Sequence, residues 1–296
     1  MAVEIGEVPP GAIVVHEPYG FVKLVECRAD DLMVVNAARV SFRKKSEWEY
    51  VATDGLFFPD EEDAFDHQEA LDDVELGTED FMGRDVTTRL NEDDEKVLRF
   101  LLREKHGSPF EGNYFCFHVR APIFVFREWH RHRIGISINE ESGRYVQLQP
   151  AFYLPDDDHV RIQKGRPGQY YFEPCGTEVA EDFKEGTGAG ELTGTTYGDL
   201  ARINLTYSYK VAYERYETML SIGIAKEIAR ACLPVGIYSQ MYWSCNARSL
   251  MNFLSLRNHD RALAEIRDYA AAMERIFAEK MPITHSAFIE NGRIAP

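Results

Sequence analysis

The stretch from Asn91 to Arg133 changes its hydrophobic period twice, and each change restricts what the chain can build. Asn91 can cap a helix, Glu92 to Glu95 place four acids in its first turn, and Val97, Leu98, Leu101 and Leu102 recur at helical spacing. Arg103 and Lys105 sit near its C-terminal end, and Gly107 is placed to terminate it. From Phe110 to Val119 the period falls to two, with Phe115, Phe117 and Val119 alternating, which predicts a strand. Pro122 suits the first position of a second helix, with Ile123, Phe126 and His130 on one side and Arg127 and Arg131 four apart. Helix, strand and helix in succession mark a chain that mixes the two element types.

The flanking segments extend this picture. Ala12–Val15 and Leu32–Val35 are short apolar runs, read as strands or as a strand and a helix start. Residues 54–95 hold seventeen Asp or Glu against Arg84 and Arg89, which predicts a solvated loop or insertion. Residues 154–196, rich in Gly, Asp and Glu, read as an irregular excursion. From Tyr197 the chain reads as helical to residue 280, in segments 199–221, 224–232, 244–258 and 260–279 broken at Gly223 and Pro234. The cores around 91–150 and 197–280 are expected to form one domain, residues 1–296, with insertions at about 46–90 and 155–196.

Composition narrows the functional classes. The net charge of −16 and pI near 5.0 argue against a general nucleic-acid or membrane-surface binder, whose partners are themselves anionic. The five cysteines (Cys27, Cys116, Cys175, Cys232, Cys245) are odd in number and form no CxxC pair, so reduced, mostly packed thiols are expected. The first residues carry neither a basic nor an apolar leader region, and no apolar run approaches a membrane span, so a cytoplasmic protein is expected.

Against that acidic background, Arg127, Arg131, Arg133 and Arg144 fall within eighteen residues. Such a cluster reads either as a surface salt-bridge network with Glu128, Glu140 and Glu141 or as a site for an anion, a phosphate above all. Ser142-Gly143-Arg144 resembles a phosphate turn, offering a hydroxyl, an approachable backbone and a fork donor. The His130-x-His132 pair has no third His or Cys at ligand spacing, and its cationic neighbours oppose a metal, so no metal is expected there. His106-Gly-Ser-Pro-Phe-Glu111 is a tight polar corner, either a plain helix stop or a ligand corner. In Asn246–Arg257, the polar Asn246, Arg248, Asn252 and Arg257 share three turns with Leu250, Phe253 and Leu254. Arg230 is a further cation in an apolar helix, where it needs a partner. GxSxG, GxxxxGK[ST] and GxGxxG are missing, and no cysteine has a His neighbour suited to activating it.

Taken in order, His106–Glu111, Arg131-His132-Arg133, Asn139–Tyr145, Glu227-Ile-Ala-Arg230 and Asn246–Arg257 resemble the flavin-dependent thymidylate synthase family. The likeness covers about 91–150 and 197–285, together with Ala37–Phe42. It implies an α+β fold, a single catalytic domain with a mainly antiparallel sheet flanked by helices and a helical C-terminal half. It implies methylation of dUMP to dTMP by methylenetetrahydrofolate, with FAD reduced by NADPH, in a homotetramer whose active sites are shared between subunits. By resemblance, Arg131, His132, Arg133, Ile134, Ser108 and Glu111 hold FAD, joined from a neighbouring subunit by Asn246, Arg248 and Asn252. Glu128, Glu140, Glu141, Ser142, Gly143, Arg144 and Arg230 hold dUMP. Arg257 contacts the uracil and polarises it, and His106 stacks near the flavin; these two are the expected catalytic residues.

The chain departs from the family pattern in three places. Eight residues rather than seven separate Arg133 from Ser142, which predicts a bulge near Gly135-Ile136. Glu128 stands where many members have Gln, and is expected to pair with Arg131. Arg261 and Leu263 replace a His and a Gln found in some members. The competing reading is a non-catalytic nucleotide- or RNA-binding module that uses the same arginines.

Overall fold

A computed structural model describes residues 7–52, 56–58, 60–75, 87–180 and 194–296, the side chains of 69–75 excepted. The expectations for the extreme N-terminus, for 76–86 and for 181–193 fall outside the described residues. The chain runs through β1 (Ile13–Val14), β2 (Phe21–Arg28), α1 (Asp31–Arg39), β3 (Glu49–Val51), β4 (Phe57–Phe58), α2 (Glu61–Glu75), β5 (Thr87–Arg89) and α3 (Glu92–Arg103). It continues with β6 (Tyr114–Pro122), α4 (Ile123–Trp129), β7 (Ile136–Glu140), β8 (Arg161–Lys164), β9 (Tyr171–Pro174) and α5 (Tyr197–Ser221). Then come α6 (Lys226–Ala229), β10 (Tyr238–Asn246), α7 (Ala247–Arg257), α8 (Ala264–Lys280) and α9 (Pro282–Glu290).

The fold is α+β, as expected. A five-stranded sheet has the order β1-β2-β6-β10-β7, and β1–β2, β3–β4, β3–β5 and β8–β9 pair antiparallel. Two compact units emerge: residues 1–25, 116–244 and 256–273 form the first, and 26–115, 245–255 and 274–296 the second.

In the first unit, the inward side chains of β6 and β10 meet α4. Phe117, Trp129, Trp243 and Tyr269 are buried, with the Trp129 and Trp243 rings edge to face at 5.9 Å. The start of α4 is pinned by Ile123 and Phe124, whose backbone N–H groups donate to Ile237 and Val235. Pro122 is the cap of that helix rather than its first residue, because its φ of −60° and ψ of 146° are extended.

In the second unit, α3 packs on α1 and α9 through Leu98, Leu101 and Leu102, all buried. Asn91 caps α3 as expected, accepting from the Asp94 N–H at 2.9 Å. Asp94 is itself fully buried, and its carboxylate collects Arg39, the Ser46 hydroxyl and the Asn91 amide. Asp31, also buried, accepts from the backbone N–H groups of Ile283 and Thr284, both at 2.9 Å. It thereby supplies the first turn of α9 with acceptors that Met281 and Pro282 cannot provide.

Several expectations are corrected. Leu32–Val35 lie in a helix, because Asp30 caps α1 through the Met33 N–H. Lys105, not Gly107, ends α3: it takes φ +59°, while His106 and Lys105 donate back to Leu101 and Leu102. The acidic run is not all loop, since Glu61–Glu75 is helical with three acids in its first turn, where the helix dipole favours them. The 154–196 excursion contains the β8–β9 hairpin, turned through Gly165 at φ +94°. The C-terminal half is interrupted by a strand, β10, where Met241, Trp243 and Cys245 are buried alternately. All five cysteines are free, but Cys232 is exposed rather than packed.

Candidate active site

In the first unit the arginine-rich segment begins where α4 stops. Trp129 is buried, and the chain turns out of the helix through His130 N–H to Phe126 O and His132 N–H to Trp129 O. This turn buries His132 while Arg131, Arg133 and Ile134 stand in solvent, Ile134 at 90% exposure. Among the described residues, Arg127, Arg131, Arg133 and Arg230 have no carboxylate at ion-pair distance. Arg127, Arg131 and Arg133 are exposed cations within seven residues of chain, and without carboxylate partners they suit an anionic ligand better than an internal salt-bridge network.

Arg257, the last residue of α7, reaches the same turn. Its Nε–H donates to His132 Nε2 at 2.9 Å, Nη1 donates to Glu128 Oε2 at 2.8 Å and Nη2 to the Glu128 carbonyl at 2.9 Å. Glu128 therefore pairs with Arg257, not with Arg131 as the sequence suggested. The carboxylate at this position fixes the arginine where an amide could only accept more weakly. Burial, reinforced by the adjacent guanidinium, pushes the His132 imidazole down to about 4. The ring is neutral, which is the state that lets Nε2 accept from arginine. Three of the five guanidinium donors are occupied, leaving two for a ligand.

After Arg133 the chain turns through Gly135, which has φ +66°, directly before β7. Ser137 is exposed in that strand. Glu140 at its end accepts from the Ser239 hydroxyl at 2.8 Å, and Glu141 donates its N–H to Gln240 O at 2.8 Å. Burial raises the Glu141 carboxyl. The next turn is closed by Tyr145 N–H to Ser142 O. Gly143 is buried in it, and a Cβ there would come within 3.1 Å of Leu148 and 3.2 Å of Arg230. The Arg230 stem lies across this backbone, so a side chain at 143 would push it or Leu148 aside by a few tenths of an ångström. Arg144 Nε–H meets Glu227 at 3.1 Å, and the Lys226 ammonium donates to Tyr145 O. Sequence reasoning assigned no role to Glu227 or Lys226, although both adjoin the Glu227–Arg230 motif. Ser142, Gly143 and Arg144 thus share one turn, with the Arg230 stem packed against Gly143.

In the second unit the left-handed Lys105 presents His106 on the surface, edge-on to Phe100 at 5.8 Å. A cavity of about 620 Å³ opens there, lined by Arg39, Phe42, Lys44, Phe100, His106 and Ser108 among others. The Ala37–Phe42 stretch therefore meets the His106 corner, a juxtaposition with no signal in either segment alone. Arg248 lies across Gly107, whose Cβ would meet Arg248 Nε at 2.5 Å. Its Nη1 donates to Glu111 at 2.6 Å and its Nε to the Pro296 carbonyl at 2.7 Å. Asn246 uses its side-chain oxygen on the Ser249 N–H at 2.8 Å, and Asn252 is exposed one turn on. Of the residues expected to be catalytic, Arg257 belongs to the first unit and His106 to the second.

A family model described as thymidylate synthase complementing protein matches residues 23–283. The chain belongs to this family. A flavin-dependent thymidylate synthase of Streptomyces avermitilis is 46% identical over 224 residues, spanning 72% of this chain and 84% of the relative. One from Thermosipho melanesiensis is 36% identical over 272 residues, spanning 92% and 91%. A solved structure of the UMP/dUMP methylase PolB from Streptomyces cacaoi, bound with 5-Br dUMP, has a TM-score of 0.68 and 37% identity, covering 96% of this chain and 100% of that one. Its counterpart bound with 5-Br UMP gives 0.69 and 34%, covering 97% and 100%. Among the described residues, no helix is long and apolar enough to cross a membrane.

Proposed function

We propose that this protein is a flavin-dependent thymidylate synthase, an FAD-dependent methyltransferase that converts dUMP to dTMP with methylenetetrahydrofolate as carbon donor and NADPH as reductant. The observation that carries this reading is the turn after α4, where Arg131 and Arg133 are exposed without carboxylate partners and His132 is buried and neutral beneath them. These residues suit the pyrophosphate and ring system of FAD: two free forks for phosphate oxygens and, in Ile134, an exposed apolar surface. Ser108, Glu111, Asn246, Arg248 and Asn252 complete the flavin set. Residues 1–296 act on this reading as one catalytic domain, with insertions at about 46–90 and 155–196.

When bound, the flavin supplies the reducing equivalents of the reaction. The chain's own residues bind and polarise the nucleotide. Arg144, Arg230, Ser142 and the Gly143 backbone hold the dUMP phosphate, with Glu140 and Glu141 on the sugar and base side. Arg257, fixed by Glu128 and His132, presents its two remaining N–H groups to the uracil. It stabilises the negative charge that grows on the ring as the new carbon bond forms. His106 offers its exposed ring for stacking where the other co-substrates enter. The assembly is a homotetramer that draws each active site from several subunits, so the two sets of residues need not come from one chain.

The RNA- or nucleotide-binding alternative gains no support from the relatives, and the net charge of −16 opposes it. The visible spectrum of the purified protein tests the reading. Oxidised flavin bands that shift when dUMP is added are expected; folded protein without such bands, even after incubation with FAD, overturns it.

A further inference from the structure

A second cluster of ligating side chains lies in the first unit, apart from the residues assigned to flavin and nucleotide. His16, His159 and Asp268 come from the turn after β1, the loop before β8, and α8. One ligand atom from each lies within 4.8 Å of the other two. His159 Nε2 is 2.8 Å from Asp268 Oδ2, and His16 Nε2 is 3.6 Å from that same oxygen. His16 is only 8% exposed, and its Nε2 is buried without a hydrogen-bond partner. A buried ring nitrogen left bare costs free energy, and here it is aimed at two further ligand atoms.

We propose that His16, His159 and Asp268 form a binding site for a divalent transition-metal ion of the zinc class. Two imidazoles and one carboxylate suit zinc, and ligand atoms sharing a tetrahedral zinc stand roughly 3.3 Å apart, so movements of about an ångström close the site. The groups behind the ligands match what such sites use. The other nitrogen of His159, Nδ1, lies 2.6 Å from Asp156 Oδ1, the outer carboxylate that orients a ligating imidazole. The backbone carbonyl of Glu265 hydrogen-bonds the His16 ring. Glu265 is itself engaged by the Tyr153 hydroxyl and by Arg161, so its charge is already met. A divalent ion balances the two remaining carboxylates, Asp156 and Asp268. The ligands are none of the residues given a role in the reaction, so the ion is structural: it fastens the Glu17–Gly20 turn to α8. Sequence spacing could not show it, because the ligands are more than a hundred residues apart.

The test is zinc binding by tag-free, flavin-loaded protein at neutral pH, followed by calorimetry and elemental analysis. One equivalent with micromolar or tighter affinity is expected. H16Q and D268N should each lose that equivalent, and D156N should keep it with about 10–100-fold weaker affinity. Zinc K-edge absorption on the unmutated protein removes dependence on the variants' folding: a nitrogen and oxygen shell with two imidazoles is expected. Absence of zinc uptake, uptake unaltered in folded H16Q, or a shell containing sulfur each overturns the proposal.

Discussion

Arg257 donates its Nε–H to the neutral Nε2 of His132 at 2.9 Å, while the Glu128 side chain and carbonyl hold its other two nitrogens. The guanidinium is therefore placed before any ligand arrives. Glu128→Ala should lower kcat/KM for dUMP by about 10²-fold, the scale expected when a catalytic group loses its alignment. Glu128→Gln keeps an acceptor and should lose less than the alanine variant. Flavin content should stay unchanged in both. Steady-state kinetics with matched flavin occupancy measure this, and equal losses in the two variants would contradict the positioning role.

His132 also gives the protein a pH signature. Its folded pKa lies near 4, below the ordinary 6.5, so the unfolded chain takes up the proton first as pH falls. Stability from this group is complete above pH 6.5 and is lost between 6.5 and about 4, by at most about 3 kcal/mol. Urea unfolding across that range should show the slope, and His132→Gln should flatten it.

Arg144→Ala removes one phosphate fork and should weaken dUMP binding by roughly 10–100-fold while leaving flavin affinity within a few-fold. Titration of each ligand separates the two. Equal loss of both would show that the division between Arg131–Ile134 and Glu140–Arg144 is misplaced.

Asp31 supports the opening turn of α9 from a buried position. Asp31→Ala leaves two backbone donors and the Thr284 hydroxyl unmet and should cost about 3 kcal/mol, read as a lower thermal midpoint. An unchanged midpoint would show that water replaces the carboxylate.

The sequence was legible where signals are local. Asn91 with its acidic first turn marked α3, and the alternation of Phe115, Phe117 and Val119 marked β6. It misled where one signal stood for two. The aromatic, apolar stretch Tyr238–Cys245 blended into the helices around it, although its burial alternates with period two. Counting acids in 54–95 hid α2, since charge content says nothing of spacing. Within the site, motif order located the residues, but pairing is a tertiary property. That Glu128 belongs to Arg257, and Arg144 to Glu227, depends on segments 129 and 83 residues apart in sequence.

The central claim is tested most directly by tritium release from [5-³H]dUMP with FAD, NADPH and methylenetetrahydrofolate, with dTMP measured in the same samples. Release that depends on all components, with a matching yield of dTMP and near-complete loss in Arg257→Ala, is the predicted result. Folded, flavin-loaded protein that releases no tritium and forms no dTMP would contradict the account.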